Sequence, residues 1–388
     1  MQVQAKRLST ISSAVFFELN QLKLEVAKNG MPVIDLGIGS PDIPPADHVR
    51  AAFVEALHDP SIFRYATTEG SEEFRHTAAA FLHERYGVMV DAQTELLTVM
   101  GAQDALSHIS LAVVDPGDII LIPDPCYPIY EVTALLAGAI PYRMPLREEH
   151  DFLPDLTAIP ADVLRKAKLM ILNYPSNPLT ALASASFFSE VVEFALRHDL
   201  LVLHDAAYIE LTFDGKQSPS FLATPGAKEV GIELHSLSKT FNFAGPRLAF
   251  AAGNKDMLQA LRIVKSNIDY GVFRATQHAG TVALRDHPET HITHIRSLYQ
   301  TRRDAFMNPL RQAGWDLYPS EATMFVWLKT PSHMTSRDFA KHLLQTTGVA
   351  CVPGVGFGEE GEHHVRFALV QPDHILTAAA NHMIAAFQ

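Results

Sequence analysis

The sequence predicts an α/β fold, a mainly parallel sheet covered by helices on both faces, followed by a smaller α+β part. Three observations carry that expectation. Short apolar runs recur at 96–100, 119–122, 169–172, 201–204, 232–235 and 248–252, each the length of a strand buried on both faces. Between them lie stretches with helical spacing of apolar residues, such as 102–114 and 184–198, and this alternation marks parallel crossover units. After about residue 285 the texture changes to a long polar amphipathic stretch and then to mixed strand and helix patterns.

Taken in order, the segment up to Asp47, with Pro41, Pro44 and Pro45, reads as extended chain that either joins the smaller part or wraps the larger one. Gly245-Pro246-Arg247 follows the run at 232–235 too closely for a crossover helix, so the strand at 248–252 is expected to be antiparallel to its neighbour. Beyond it come a helix over 287–313, a strand at 322–328, a helix at 336–345, strands at 349–352 and 364–368, and a terminal helix. The predicted division is a large domain over 48–285 and a small one from 1–47 with 286–388.

Composition narrows the function. A chain of 388 residues with 47% hydrophobic and 19% charged residues can bury a large core, which excludes global disorder. A formal charge of −12 gives no bulk attraction to nucleic acid or anionic lipid, so any anion must be held by a local site. Cys126 and Cys351 are the two cysteines, which argues against a disulfide framework or a cysteine-based zinc site. The opening residues lack the apolar stretch of a signal peptide, and no run has the 18 apolar residues of a membrane span. The expectation is a cytoplasmic protein.

The strongest local signal is Ser236-Leu237-Ser238-Lys239-Thr240, with Arg247 eight residues after the lysine. A lysine directly after a buried strand is costly unless its charge is used or removed, and a desolvated lysine is the amine that condenses with an aldehyde. Ser236, Ser238 and Arg247 offer hydroxyls and a fork of N–H donors to a phosphate dianion. The plain alternative is an exposed lysine in a polar turn. Asp205 ends an apolar run, where ligands collect in open α/β sheets. It reads either as the acceptor for a cationic ring N–H or as a helix N-cap, and Tyr208 can reach the same ligand. Asn177, in the rigid turn Asn173-Tyr174-Pro175-Ser176-Asn177-Pro178, can donate to a ligand oxygen. Gly101-Ala102-Gln103 opens a helix whose free N–H groups suit an anion. Tyr127, in a proline turn, can lie flat on an aromatic ligand. Arg366, between Val365 and Phe367, needs an anion, either a substrate carboxylate or an internal acid. Gly356-Phe357-Gly358-Glu359-Glu360-Gly361 matches a dinucleotide pattern, but a strand-like run follows and two glutamates would repel a pyrophosphate, so that reading is rejected. His363-His364 and the pair His291 and His294 lack a supporting ligand pattern, so no metal is expected.

In this order and together, these motifs resemble the class I and II aminotransferases, the fold-type I family dependent on pyridoxal 5'-phosphate (PLP), over nearly the whole chain. The resemblance includes Ile38-Gly39-Ser40-Pro41-Asp42, Tyr65 with Gly70, and Pro353-Gly354-x-x-Phe357-Gly358. At 235–244 and 265–271 it is greatest to the branch with LL-diaminopimelate aminotransferases and related alanine, aspartate and methionine aminotransferases. The resemblance implies a seven-stranded, mainly parallel sheet. It implies Lys239 as the residue that forms an imine with PLP and then shuttles a proton, and Asp205 as the group that keeps the pyridine nitrogen protonated. Tyr208 and Asn177 would bond the ring hydroxyl oxygen, and Tyr127 would stack on the ring. Gly101, Ala102, Gln103, Ser236, Ser238 and Arg247 would hold the phosphate, joined by Tyr65 from the partner in a homodimer. Arg366, with the Gly39 backbone and Asn177, would grip the substrate α-carboxylate.

Some positions depart from the family pattern. Asn177-Pro178-Leu179-Thr180 stands for N-P-T-G, Ala244-Gly245-Pro246-Arg247 for A-G-W-R, and Ala102-Gln103 for a turn where Ser or Lys is common. The implied reaction is ping-pong transfer between an amino acid and a 2-oxo acid, with glutamate/2-oxoglutarate or alanine/pyruvate as exchange pair. Gln103 supplies no charge, so a small or uncharged side chain is expected, alanine or methionine ahead of aspartate. The competing readings are a C–S β-lyase on the same fold and an enzyme specific for LL-diaminopimelate or aspartate, for which Lys265 or Arg274 would supply the distal cation.

Overall fold

The computed structural model describes residues 3–11 and 14–387. Its strands are β1 (Ile34–Asp35), β2 (Leu96–Val99), β3 (Ile119–Asp124), β4 (Ile140–Pro145), β5 (Ala167–Asn173), β6 (Leu201–Asp205), β7 (Gly231–Ser236), β8 (Ala249–Gly253), β9 (Phe325–Lys329), β10 (Val349–Ala350), β11 (Val352–Pro353) and β12 (His364–Ala368). The helices that matter below are α1 (Ala14–Lys28), α2 (Ala102–Val113), α3 (Ile129–Ala137), α4 (Ala185–His198), α5 (Lys255–Ile268), α6 (Arg274–Arg285), α7 (Pro288–Gln312), α8 (Ser336–Thr347) and α9 (Asp373–Phe387).

Seven strands form one sheet in the order β2-β8-β7-β6-β5-β3-β4. Only β8 runs antiparallel to its neighbours, β2 and β7, as the short connection through Gly245 requires. Strand alternation divides the apolar side chains between two cores. Leu121, Met170, Leu172, Val202 and Phe250 face α4 and α6; Ile120, Ile122, Ile171, Leu203 and Leu234 face α2, α3 and α5. Strands buried on both sides are continuous apolar runs, which is why six of the seven are readable from sequence. The seventh, β4, is the edge strand. It leaves Ile140 half exposed and carries Pro141 and Arg143, so it lacks an apolar run.

The C-terminal part builds a three-stranded antiparallel sheet, β11-β12-β9, against α7, α8 and α9. The predicted strand at 349–352 is two pieces. Val349–Ala350 pairs in parallel with Ile34–Asp35, and Val352–Pro353 pairs with β12. The extended reading of the first 47 residues holds only for part of that segment. Ala14–Lys28 is a helix, because Leu19, Leu22 and Val26 recur at helical spacing and pack with Leu344, Val352 and Phe357. Residues 36–46 carry no regular structure and run along the mouth of the site. Among the described residues no helix is long and apolar enough to cross a membrane.

Candidate active site

The C-terminal ends of β3, β5, β6 and β7 meet the 36–46 segment and the three-stranded sheet around a cavity of about 290 Å³. Its walls include Gly39, Ala102, Gln103, Tyr127, Asn177, Asp205, Tyr208, Ser236, Ser238, Lys239, Arg247 and Arg366. Twelve of the fourteen residues singled out from sequence are thus on one surface, and a thirteenth, Gly101, touches Arg247 beside it. Tyr65 is elsewhere, 93% exposed, with its ring 5.7 Å from that of Tyr270.

Lys239 follows β7 in the short helix Leu237–Thr240, and its Nζ donates to the Gly39 carbonyl at 2.7 Å. Burial, the nearby Arg366 and then Arg247 push its pKa down to about 8. The ammonium therefore gives up its proton far more readily than an ordinary lysine does, though it is still mostly protonated at neutral pH. Asp205 ends β6 and is buried, and burial raises its pKa. Tyr130, on α3, opposes that shift by donating to Asp205 Oδ2 at 2.8 Å, and the Ala207 N–H donates to Oδ1. No helix begins directly after Asp205, so the N-cap reading fails; its bond from the Ala207 N–H closes a turn. Burial moves the Tyr208 hydroxyl well above its ordinary range, so it stays protonated.

At one end of the cavity Gly101 caps α2 with φ of 78°, and a Cβ there would sit 2.4 Å from Arg247 Nη2. Glycine lets the guanidinium lie against the first turn of the helix, and it joins the free N–H groups of that turn with Ser236 and Ser238. This concentration of donors and positive charge suits a phosphate. Gln103 accepts from the Tyr127 hydroxyl at 3.3 Å, which fixes that ring over the cavity.

At the other end Arg366, on β12, lies between the rings of Phe325 and Phe357, with Cζ at 4.2 and 4.6 Å from their centres. Nη1 donates to Asn177 Oδ1 and Nη2 to the Gly37 carbonyl, each at 2.8 Å. Nε is buried, with no hydrogen-bond partner among the described residues. Burial brings its pKa down to about 10. Among the described residues no carboxylate pairs with Arg366, so the internal-acid alternative fails. A buried guanidinium with only neutral partners is a site for an incoming anion. Because Asn177 Oδ1 is taken by Arg366, its Nδ2 is the atom left to donate into the cavity.

Two expectations need correction. Lys265 does not face the cavity. It is fully buried, with Nζ 2.5 Å from Asp104 and 2.7 Å from Asp269, and a charged group bound to two carboxylates cannot serve a ligand. Its ammonium already binds two members, Asp104 and Asp269, of a group completed by His108 whose ligand atoms lie close enough for a metal ion. Arg274 donates to the Ser61 carbonyl and is likewise not in the wall. Thr180, where the family pattern has glycine, is buried with φ of 61°, a left-handed conformation that glycine favours. Sequence reading missed Tyr130, Phe16 and Phe325. The only signal for Tyr130 was its place one turn after Tyr127.

The family model for aminotransferase class I and II matches residues 31–381. Among curated relatives, the LL-diaminopimelate aminotransferase of Moorella thermoacetica is 46% identical over 366 residues, covering 94% of each chain. That of Syntrophobacter fumaroxidans is 44% identical, with 95% of this chain and 94% of the relative covered. Among solved structures, substrate-bound BacF from Bacillus subtilis superposes with TM-score 0.95 at 35% identity, covering 99% of this chain and 98% of that one. A probable N-succinyldiaminopimelate aminotransferase from Thermus thermophilus does so with TM-score 0.92 at 38% identity, covering 96% and 100%.

Proposed function

This chain belongs to the class I and II aminotransferases and is a PLP-dependent aminotransferase, and from that premise we propose which residues do the chemistry and which side chains the enzyme accepts. The cavity fits the cofactor. It offers a desolvated amine for an aldehyde, a buried carboxylate for a ring N–H, and a donor-rich end for a phosphate. When bound, PLP supplies an electron sink for the pair left at the substrate Cα once its proton is removed.

In this reading Lys239 Nζ would hold the cofactor by its aldehyde and, when free, would take the substrate Cα proton as a base. Asp205 would accept the cofactor ring N–H, with Tyr130 donating to the same carboxylate. Tyr208 and Asn177 Nδ2 would donate to the ring hydroxyl oxygen, and Tyr127 would cover the ring face. Ser236, Ser238, Arg247 and the backbone of Gly101, Ala102 and Gln103 bind the phosphate. Arg366 binds the α-carboxylate with Asn177, its Nη2 shared with Gly37. Gly39 serves through its carbonyl, which receives Lys239.

The observation that carries the substrate reading is the wall beside Arg366: Phe16, Ile38, Phe325 and Phe357. Apolar walls favour an uncharged side chain, and the distal cations once expected, Lys265 and Arg274, are engaged elsewhere. The enzyme then prefers donors such as alanine or methionine, with pyruvate as the acceptor that fits the same wall; 2-oxoglutarate in that role would have to turn its distal carboxylate toward solvent. The second reading is LL-diaminopimelate, and its support is that relatives at 41–46% identity bear that name. Steady-state kinetics over alanine, methionine, glutamate, aspartate and LL-diaminopimelate decides. A kcat/KM for LL-diaminopimelate or aspartate above that for alanine and methionine by about tenfold, about 1.4 kcal/mol, overturns the apolar reading.

The working unit in this reading is a cytoplasmic homodimer, divided within each chain into 48–285 and the pair 1–47 with 286–388. Exposed Phe63, Tyr65, Tyr270 and Phe273 form two aromatic pairs, Phe63 with Phe273 at 6.2 Å between ring centres and Tyr65 with Tyr270 at 5.7 Å, and such exposed aromatic surface suits an interface. Tyr65 would reach the phosphate of the partner's cofactor. Sedimentation at assay concentration tests it, and full activity from a monomer would sink it.

A further inference from the structure

The glycine-rich turn after β11 remains without a role, and its surroundings supply one. Asp124, the last residue of β3, is 2% exposed although it carries a charge. Its Oδ2 accepts from the Glu359 N–H and its Oδ1 from the Glu360 N–H, both at 3.3 Å. Arg143, from the edge strand β4, approaches Oδ2 at 3.5 Å. Gly358 has φ of 142°, and a Cβ on it would stand 1.9 Å from Asp124 Oδ1. The carboxylate thus occupies the volume that any other residue at 358 would need. Two residues along the same loop, the Cys126 N–H donates to the Phe357 carbonyl at 2.8 Å. Phe357 is one of the two rings that enclose Arg366, and Tyr127 follows Cys126 directly.

These contacts form one path. The end of a strand in the seven-stranded sheet grips the turn at 357–360, and that turn holds Phe357 over the guanidinium. We propose that Asp124 and Gly358 are positioning residues for the substrate: their docking seats Phe357 on Arg366 and so forms the α-carboxylate site, while the phosphate and Lys239 end is built without them. The proposal rests on Arg366 as the carboxylate site. Removing the docking loosens the wall that excludes water from the guanidinium and orients it, which weakens binding of both amino acid and 2-oxo acid. It leaves the chemical step, once substrate is seated, largely intact.

Asp124→Asn keeps the side-chain volume but sets an NH2 donor against one of the two backbone N–H groups that the carboxylate accepts. Gly358→Ala presses a methyl into Asp124 Oδ1. In each variant of the full-length PLP-loaded enzyme, KM for donor and for acceptor is expected to rise about tenfold. The dissociation constant for PLP, from absorbance titration of the cofactor-free protein, and kcat stay within about twofold. Combined with Asp124→Ala, which vacates the space, Gly358→Ala costs less than it does alone. Arg366→Gln is run beside them: if it leaves KM unchanged, the carboxylate-site reading fails and this proposal with it. If Arg366→Gln raises KM but Asp124→Asn and Gly358→Ala do not, the docking proposal alone is overturned. PLP affinity falling in step with KM, or failure of both variants to fold, makes the pair structural and overturns it as well.

Discussion

Arg247 and Arg366 stand at the two ends of one cavity in opposite surroundings. Arg247 lies in a loop, half exposed, against the glycine that opens α2 and beside two serines. Arg366 is buried on a strand between two phenylalanines, with an unpartnered Nε and a pKa brought down to about 10 by burial. The first belongs to a site with many donors, each of modest weight. The second concentrates its affinity in one cation kept dry. That difference suits a resident cofactor at one end and a substrate that must enter and leave at the other, since a lone desolvated charge discriminates sharply by what it is paired with.

The largest break of the comparison lies between the two, at the lysine that both repel. Lys239→Ala is expected to lower turnover on the order of 10⁴-fold or more, and borohydride reduction of the wild-type holoenzyme followed by peptide mapping should label Lys239. A label on another lysine removes this assignment. Next, Arg366→Gln should cut kcat/KM by about 10²-fold or more, in line with roughly 2–5 kcal/mol for a buried charge pair, with cofactor affinity retained. Arg247→Gln should do the reverse. PLP dissociation should rise about tenfold to a hundredfold, for a lost charge-assisted bond of roughly 1.5–3 kcal/mol, with KM nearly constant at saturating cofactor. If the two variants behave alike, the cavity has no division of labour.

A pH measurement sharpens the contrast further. Lys239 has a pKa of about 8 in the cofactor-free protein. Below that value Nζ is protonated and cannot attack an aldehyde; above it the amine is neutral. The rate of PLP capture by the cofactor-free enzyme should rise with pH and level off above about 8. Arg366 lowers this pKa more than Arg247 does. Arg366→Gln should therefore move the midpoint upward by more than Arg247→Gln. The smallest effect expected is that of Tyr130→Phe. It removes one hydrogen bond to Asp205, about 1 kcal/mol, and should reduce kcat/KM roughly fivefold without moving the phosphate end, as read by PLP titration.

The two ends also differed in how legible they were. Ser236, Ser238, Lys239 and Arg247 lie within a dozen residues and announce themselves as a polar burst after an apolar run. The donors at the other end come from Gly37, Asn177 and Arg366, and their enclosing rings from Phe325 and Phe357, which only the fold brings together. Arg366 was visible because its neighbours are apolar; the absence of an internal acid beside it was not. Lys265 misled in part for the same reason: Asp269 lies four residues on, but its other partner, Asp104, is 161 residues away in sequence. Strands buried on both faces were readable as apolar runs. The edge strand β4 was not, nor was α1, where the proline-rich stretch that follows hid a helical spacing of leucines.

The pairing of Ile34–Asp35 with Val349–Ala350 has a consequence for the order of assembly. Every proposed phosphate contact within one chain, and Lys239, lies between residues 101 and 247, so those groups have all left the ribosome while much of the chain is still being made. The carboxylate end needs Gly37 and Arg366, which are 329 residues apart, and closing so long a loop waits for β10 and β12. In the nascent chain the N-terminal segment therefore stays unpaired longest. The entropy of that closure grows only slowly with length, about 0.6 kcal/mol per doubling, so the delay is one of timing more than of stability. The half of the cavity proposed to select the substrate would then be the last to form, and in gradual unfolding by urea it should be the first to be lost, with protection by substrate disappearing before the cofactor absorbance does.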